Sequence, residues 1–230
     1  MPTTPKTLVR HSIPFLLLLF CATRSETRSY LRLHANGSET HSLKEKGDDL
    51  FALYRGTILA NDSKRKKIAY TCGSGDLCGG VGDRLKGFAS TFVLALLLDA
   101  EFVVEWTSPV PIDSFFKMPV MTNGEGLRKS AKNATTWSLI DAHSSSMELK
   151  KLRMSNFREL WRSNDFISIH LNGAVWNHFV MNEHLVDIGD KYSLNRFSKR
   201  QLFEVVMKYY FSTPMPALQN FVVREAAKFR

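Results

Sequence analysis

Cysteine is scarce in this 230-residue chain, with only Cys21, Cys72 and Cys78 present. Three are too few for a small scaffold held by disulfides, and no Cys/His pair follows at the spacing a four-ligand structural zinc needs, so no metal is implied. No Gly-Lys-Ser/Thr occurs, which excludes a P-loop. No apolar run in the chain reaches the roughly 18 residues of a membrane-spanning helix. Acid is the minority charge: 22 Asp+Glu against 31 Lys+Arg leave a net +9 and a pI near 9.5. That surplus suits an acidic partner in general and selects none. Repeats and low-complexity tracts are also lacking. What is present is ordinary globular composition, 44% hydrophobic and 23% charged, enough to bury a core over a length that suits one domain with an extension.

The first twelve residues carry Lys6, Arg10 and His11 and no acid, and Ile13–Ala22 is an unbroken apolar stretch ended by Thr23 and Arg24. A basic n-region followed by a short h-region reads as a signal sequence over 1–22, with an uncleaved signal-anchor as the alternative. The expected compartment is the secretory pathway, in the lumen of the endoplasmic reticulum or Golgi. Three Asn-x-Ser/Thr sequons, at Asn36, Asn61 and Asn133, agree with that placement. In an oxidising lumen Cys72 and Cys78 close a small disulfide loop; the alternative is two free thiols.

Residues 23–64 are polar and charged, interrupted by Leu50–Tyr54, and read as a stem leading into an α/β domain over 65–230. The basic tetrad Lys64–Lys67 lacks the aromatic interleaving of a nucleic-acid site and reads as a solvated face. Ile68–Thr71 is a strand, Asp83–Asp99 a helix apolar on every face beyond its first turns, and Glu101–Trp106 a β-branched and aromatic strand. Strand, glycine loop, helix and strand within about forty residues define a βαβ unit and so a parallel, Rossmann-like sheet. Prolines 109, 111 and 119 with Asn123–Gly126 mark a loop-rich insertion. Phe166–His170 is a further strand, and Lys199–Phe211 and Ala217–Phe229 are helices.

The densest signal is Cys72–Gly87, where six of sixteen residues are glycine. Glycine admits positive φ and lets a ligand approach backbone amides. The loop runs into a helix N-terminus, which favours an anion or developing negative charge. Neither Gly73-Ser-Gly75 nor Gly80-Val-Gly82 completes G-x-G-x-x-G, although Glu105 sits near the position of a ribose contact, so a dinucleotide oxidoreductase is the weakest of the functional readings.

The string Gly79-Gly-Val-Gly-Asp-Arg-Leu-Lys-Gly87, followed by Ser90–Leu97 and Phe102–Trp106, resembles the glycine loop, helix and strand of the GDP-fucose-dependent fucosyltransferases of GT-B type. The resemblance implies the N-terminal half of a GT-B architecture. It also implies transfer of L-fucose from GDP-fucose to a glycan or protein hydroxyl with inversion, with no metal and no cofactor beyond the donor. The implied partners are the sugar nucleotide and a glycan or glycoprotein acceptor. On this resemblance Gly79, Gly80 and Gly82 line the cleft opposite the nucleotide. Asp83 stands where some members have Asn, and a carboxylate there takes the acceptor proton or orients the sugar, or else serves as a helix-terminal charge. Arg84 and Lys86 either meet the diphosphate or are surface charge. The family's second motif, His-x-Arg-x-Gly-Asp-like, is missing; His170-Leu-Asn-Gly173 does not replace it, and His170 reads as a structural strand histidine. With Arg230 inside an apparent helix, the expectation is a truncated first half unable to transfer fucose alone. The alternative is a non-catalytic luminal α/β binding module.

Overall fold

The computed structural model describes residues 37–59, 66–119, 126, 129, 131–139 and 146–227. The expected signal segment and the sequons at Asn36 and Asn61 lie outside these residues. Among the described residues no helix is long and apolar enough to cross a membrane.

Helix α1 (Gly37–Leu59) precedes β1 (Lys67–Cys72), α2 (Val81–Leu97) and β2 (Glu101–Trp106). After a one-turn 3₁₀ segment at Ile112–Ser114 come β3 (Ala134–Ser138), α3 (Ser146–Met154), α4 (Phe157–Arg162) and β4 (Phe166–His170). The chain continues through α5 (Trp176–Val180), α6 (Val186–Lys191), a second 3₁₀ turn at Leu194–Arg196, α7 (Lys199–Tyr210) and α8 (Pro216–Ala227). The four strands form one sheet in the order β2-β1-β4-β3, every neighbouring pair parallel. This is the α/β, Rossmann-like parallel sheet that the βαβ spacing implies.

β1 is central and buried, as is usual for strands flanked on both sides in a parallel sheet. Its Ile68, Tyr70 and Cys72 join the main core with Phe102, Val104, Trp106, Ile167 and Ile169, while Ala69, Val103 and Phe166 form a smaller cluster on the opposite face. α2 packs against β1, α5 and α7, so its buried positions run without a break from Gly87 to Leu97. Ser90 is buried because its hydroxyl is fully used: it donates to Gly173 O at 2.9 Å and accepts from Val175 N–H at 3.0 Å. Those two bonds fasten the segment after β4 to the middle of α2.

The domain begins earlier than residue 65. Within the expected stem, Leu50, Phe51 and Tyr54 of α1 are 3%, 2% and 4% exposed and belong to the main core. Phe51 stacks on Tyr209 with ring centroids 3.6 Å apart and lies 5.4 Å from Phe92. The Tyr54 hydroxyl donates to Ala100 O at 3.2 Å and accepts from Phe102 N–H at 2.8 Å, clamping the turn between α2 and β2. The polar majority of this segment is the solvent face of an amphipathic helix, and a three-position apolar stripe is enough to dock it. The basic tetrad is also partly structural: Lys66 Nζ donates to the carbonyls of Trp161 and Arg162 at 2.7 Å each, and Lys67 pairs with Glu101 at 3.1 Å. β3 escapes sequence reading because it is a short edge strand, half-exposed and carrying one aromatic, Trp137. Asn133 is exposed just before it.

Candidate functional site

The loop after β1 is closed on itself by a Cys72–Cys78 disulfide with Cα atoms 5.9 Å apart. Both cysteines are buried, whereas Ser74, Gly75, Leu77, Gly79 and Gly80 are exposed. A second set of bonds organises the interior of this loop. Gly73 N–H donates to Asp76 Oδ2 at 2.5 Å, and Asp76 N–H donates to Gly73 O at 3.3 Å. Beyond the cysteines, Gly80 is the N-cap of α2 and supplies no side chain to cap it, so Val81, Gly82 and Asp83 form a first turn open to an external acceptor.

The six residues read as a loop site lie together here, in different roles. Gly79 has φ +68°, and a Cβ on it would sit 2.8 Å from Asp83 Oδ2, so this position needs glycine. Gly82 is helical, and a Cβ on it would meet nothing within 4 Å. Gly79→Ala is expected to lower stability by about 1–2 kcal/mol, and Gly82→Ala to leave it unchanged or raise it by about 0.5–1 kcal/mol. Paired urea melts check this, and equal losses at the two positions would show that the positive φ of Gly79 does not shape the loop.

Asp83 leans back toward Gly79 and pairs with Lys86 at 3.3 Å, both side chains close to half exposed. A carboxylate in the first turn of α2 faces the positive end of the helix dipole. Arg84 is turned inward. Its Nε donates to Gly79 O at 3.1 Å, its Nη1 donates to Ser108 O, and the guanidinium lies 5.7 Å from the centroid of the Trp106 ring. Burial draws its pKa below the ordinary arginine value, opposed by the phenol of Tyr70. Arg84 thus braces the glycine loop against the segment leaving β2, and Lys86 is the exposed cation of the pair.

Beneath the loop the carboxyl edge of the sheet carries polar groups that composition alone does not reveal. Glu105, 7% exposed, accepts from the Thr71 hydroxyl through Oε2 at 2.8 Å, and its Oε1 is buried without a partner. It is tied into the sheet at the register pair Thr71–Glu105. The Tyr70 hydroxyl and Trp106 Nε1 are likewise buried and unpartnered, and burial pushes the Tyr70 phenol far above its usual range. On β4, His170 Nδ1 stands 3.5 Å from Asp76 Oδ1. The sequence signal for this contact is an acid enclosed by the two cysteines; its partner lies ninety-odd residues away and is legible only from the strand order. Among the described residues no group of three or more His, Cys, Asp or Glu is placed to hold a metal ion.

The glycine loop lies on open surface. A groove of about 640 Å³ between α4 and α6 is lined by Arg158, Glu159, His184 and Asp187 among others and shares no residue with the loop.

The class is an α/β half-architecture: a parallel Rossmann-like sheet with an exposed glycine loop at its carboxyl edge, consistent with one half of a GT-B fold. No protein family and no curated protein sequence matches the chain. Among solved structures it is similar to a variant of FUT1, a fucosyltransferase of Arabidopsis thaliana, in complex with GDP. The TM-score is 0.51 at 14% identity, over 82% of this chain and 48% of that one. The chain therefore spans about half the length of that structure, and at this identity the likeness is one of fold.

Proposed function

We propose that the chain is the glycine-loop half of a GT-B glycosyltransferase of the secretory pathway that moves L-fucose from GDP-fucose to a hydroxyl of a glycan or protein. The observation that carries this reading is the exposed glycine loop at the carboxyl edge of β1, leading into the uncapped first turn of α2. A fold shared with a GDP-bound fucosyltransferase supports it. In this reading Gly79, Gly80 and Gly82 give the acceptor sugar access to main-chain donors, and Asp83 orients its hydroxyls. With Arg84 held by loop carbonyls, Lys86 is the cation that faces the donor diphosphate. The Golgi or endoplasmic reticulum lumen is the proposed compartment, with the N-terminal apolar segment as signal or anchor.

The engagement of Asp83 by Lys86 and of Arg84 by the loop itself favours a second reading, a luminal α/β module that binds carbohydrate without transferring it. Two measurements on the full-length gene product separate them. Backbone amide shifts of Gly79–Arg84 are followed while GDP-fucose and a panel of oligosaccharides are added, and GDP release is assayed with both present. Loop shifts with acceptor-dependent GDP release support the transferase. Loop shifts without release support the binding module, and unmoved loop amides reject both.

A further inference from the structure

One pair at the sheet edge is required by neither the glycine loop nor the helix it caps. Asp76 is held between the bridged cysteines, with its Oδ2 bound by Gly73 N–H at 2.5 Å, and its Oδ1 faces His170 Nδ1 at 3.5 Å. His170 ends β4, in register with Ser138 of β3 and one residue beyond the last β1–β4 pair, Tyr70–Ile169, at the carboxyl edge of the sheet. The two side chains keep 20% and 22% of their surface open, so the pair sits at the rim and is reachable from outside. Among the described residues no partner stands against Nε2 of His170.

At 3.5 Å the Asp76 carboxylate is near enough to favour the tautomer with the proton on Nδ1 and the lone pair on Nε2, and to offset the charge that forms when Nε2 takes a proton. A hydroxyl nucleophile needs such a base, because an alcohol attacks poorly until its proton is removed. The disulfide gives Asp76 a short, closed loop, and the end of a buried strand gives His170 a fixed Cα. Both halves of the pair are therefore carried by rigid elements, as a proton-transfer device requires.

We infer that His170 is the catalytic base for the acceptor hydroxyl and Asp76 its positioning residue, an inference that rests on the transferase reading above. His170 Nε2 takes the acceptor O–H proton while that oxygen bonds to the anomeric carbon of fucose. The bond from that carbon to the diphosphate oxygen breaks, GDP leaves with the electron pair, and the imidazolium returns its proton to water. Asp83, paired with Lys86 and folded over Gly79, orients the sugar and leaves the proton to His170.

The test uses the full-length gene product. Imidazole ¹⁵N spectra of neutral His170 are expected to show the proton on Nδ1, and Asp76→Asn to abolish that preference. Carbethoxylation of His170 by diethyl pyrocarbonate, read by peptide mass spectrometry, is expected to slow about tenfold with any oligosaccharide that shifts the Gly79–Arg84 amides. His170→Ala is expected to lower acceptor-dependent GDP release about 100-fold, with partial recovery on adding imidazole. Loop shifts with no protection of His170 overturn the base and leave the carbohydrate reading standing. A loss that imidazole does not relieve makes His170 structural and also overturns it. Unmoved loop amides together with an unprotected His170 overturn both.

Discussion

Gly87→Ala is expected to lower the unfolding free energy by about 3 kcal/mol or more, the upper end of what overpacking a rigid contact costs. Gly87 is the point where α2 meets the segment leaving β4. A Cβ built there would overlap the carbonyl oxygen of Leu171, lie 2.7 Å from the Leu171 carbonyl carbon, and come within 3.1 Å of Tyr70 Cε2. Two of those atoms are backbone, and the segment that carries them is fastened to α2 by the Ser90 bonds to Gly173 and Val175. It has nowhere to go without breaking buried hydrogen bonds. For a domain of this size the loss corresponds to a fall in melting temperature of roughly 6–12 °C. Urea denaturation with an unchanged slope checks it, and a loss under about 0.5 kcal/mol, the range of ordinary surface substitutions, would show that helix and strand end do not meet at Gly87. The effect reaches the site, because β1, β4 and α2 hold Asp76, His170 and the glycine loop in mutual position.

Phe51→Ala is expected to cost about 3–4 kcal/mol, as for other buried aromatics cut to alanine. The ring is sandwiched by Tyr209 and Phe92 and meets the edge of Tyr210, so truncation opens a void among rings that belong to α2 and α7. The prediction distinguishes a helix that is part of the domain from a polar stem, since a stem residue would tolerate the change within about 0.5 kcal/mol. The same measurement on Leu53→Ala, whose side chain is 42% exposed on the same helix, is expected to show a small change.

Much of the fold is legible along the chain because its elements are long, apolar and adjacent. Lys67–Cys72 and Glu101–Trp106 are mostly buried, Val81–Leu97 is buried throughout from Gly87 onward, and their spacing leaves a parallel βαβ unit as the one economical arrangement. The helix at Lys199 is equally plain, and the structure closes its start with a reciprocal capping box between Ser198 and Gln201. β3 and α1 are not legible in this way. Ala134–Ser138 is an edge strand, so half its side chains face water and its apolar signal falls to Trp137. In α1 the charged, polar and glycine residues together outnumber the apolar ones, and only packing against α7 distinguishes the stripe at Leu50, Phe51 and Tyr54 from an accident of composition.

The candidate site divides along the same line. Conformational demands are local, so the glycine richness of Cys72–Gly87, the cysteine pair and the helix start can be read from neighbours in the chain. Which glycine does what is not local. Gly79 is needed for its positive φ and Gly87 for its clearance from Leu171, while Gly82 meets neither constraint. Nor can the sequence say that Arg84 turns inward to Gly79 and Ser108, or that an acid in the disulfide loop faces a histidine at the end of a strand drawn from the far half of the chain. Covalent neighbours and hydrophobic periodicity thus determined the strands, the central helix and the place of the loop. The order β2-β1-β4-β3 decided which charges meet, because hydrogen-bonded register, and not distance along the chain, brings Glu105, Thr71 and His170 to one edge.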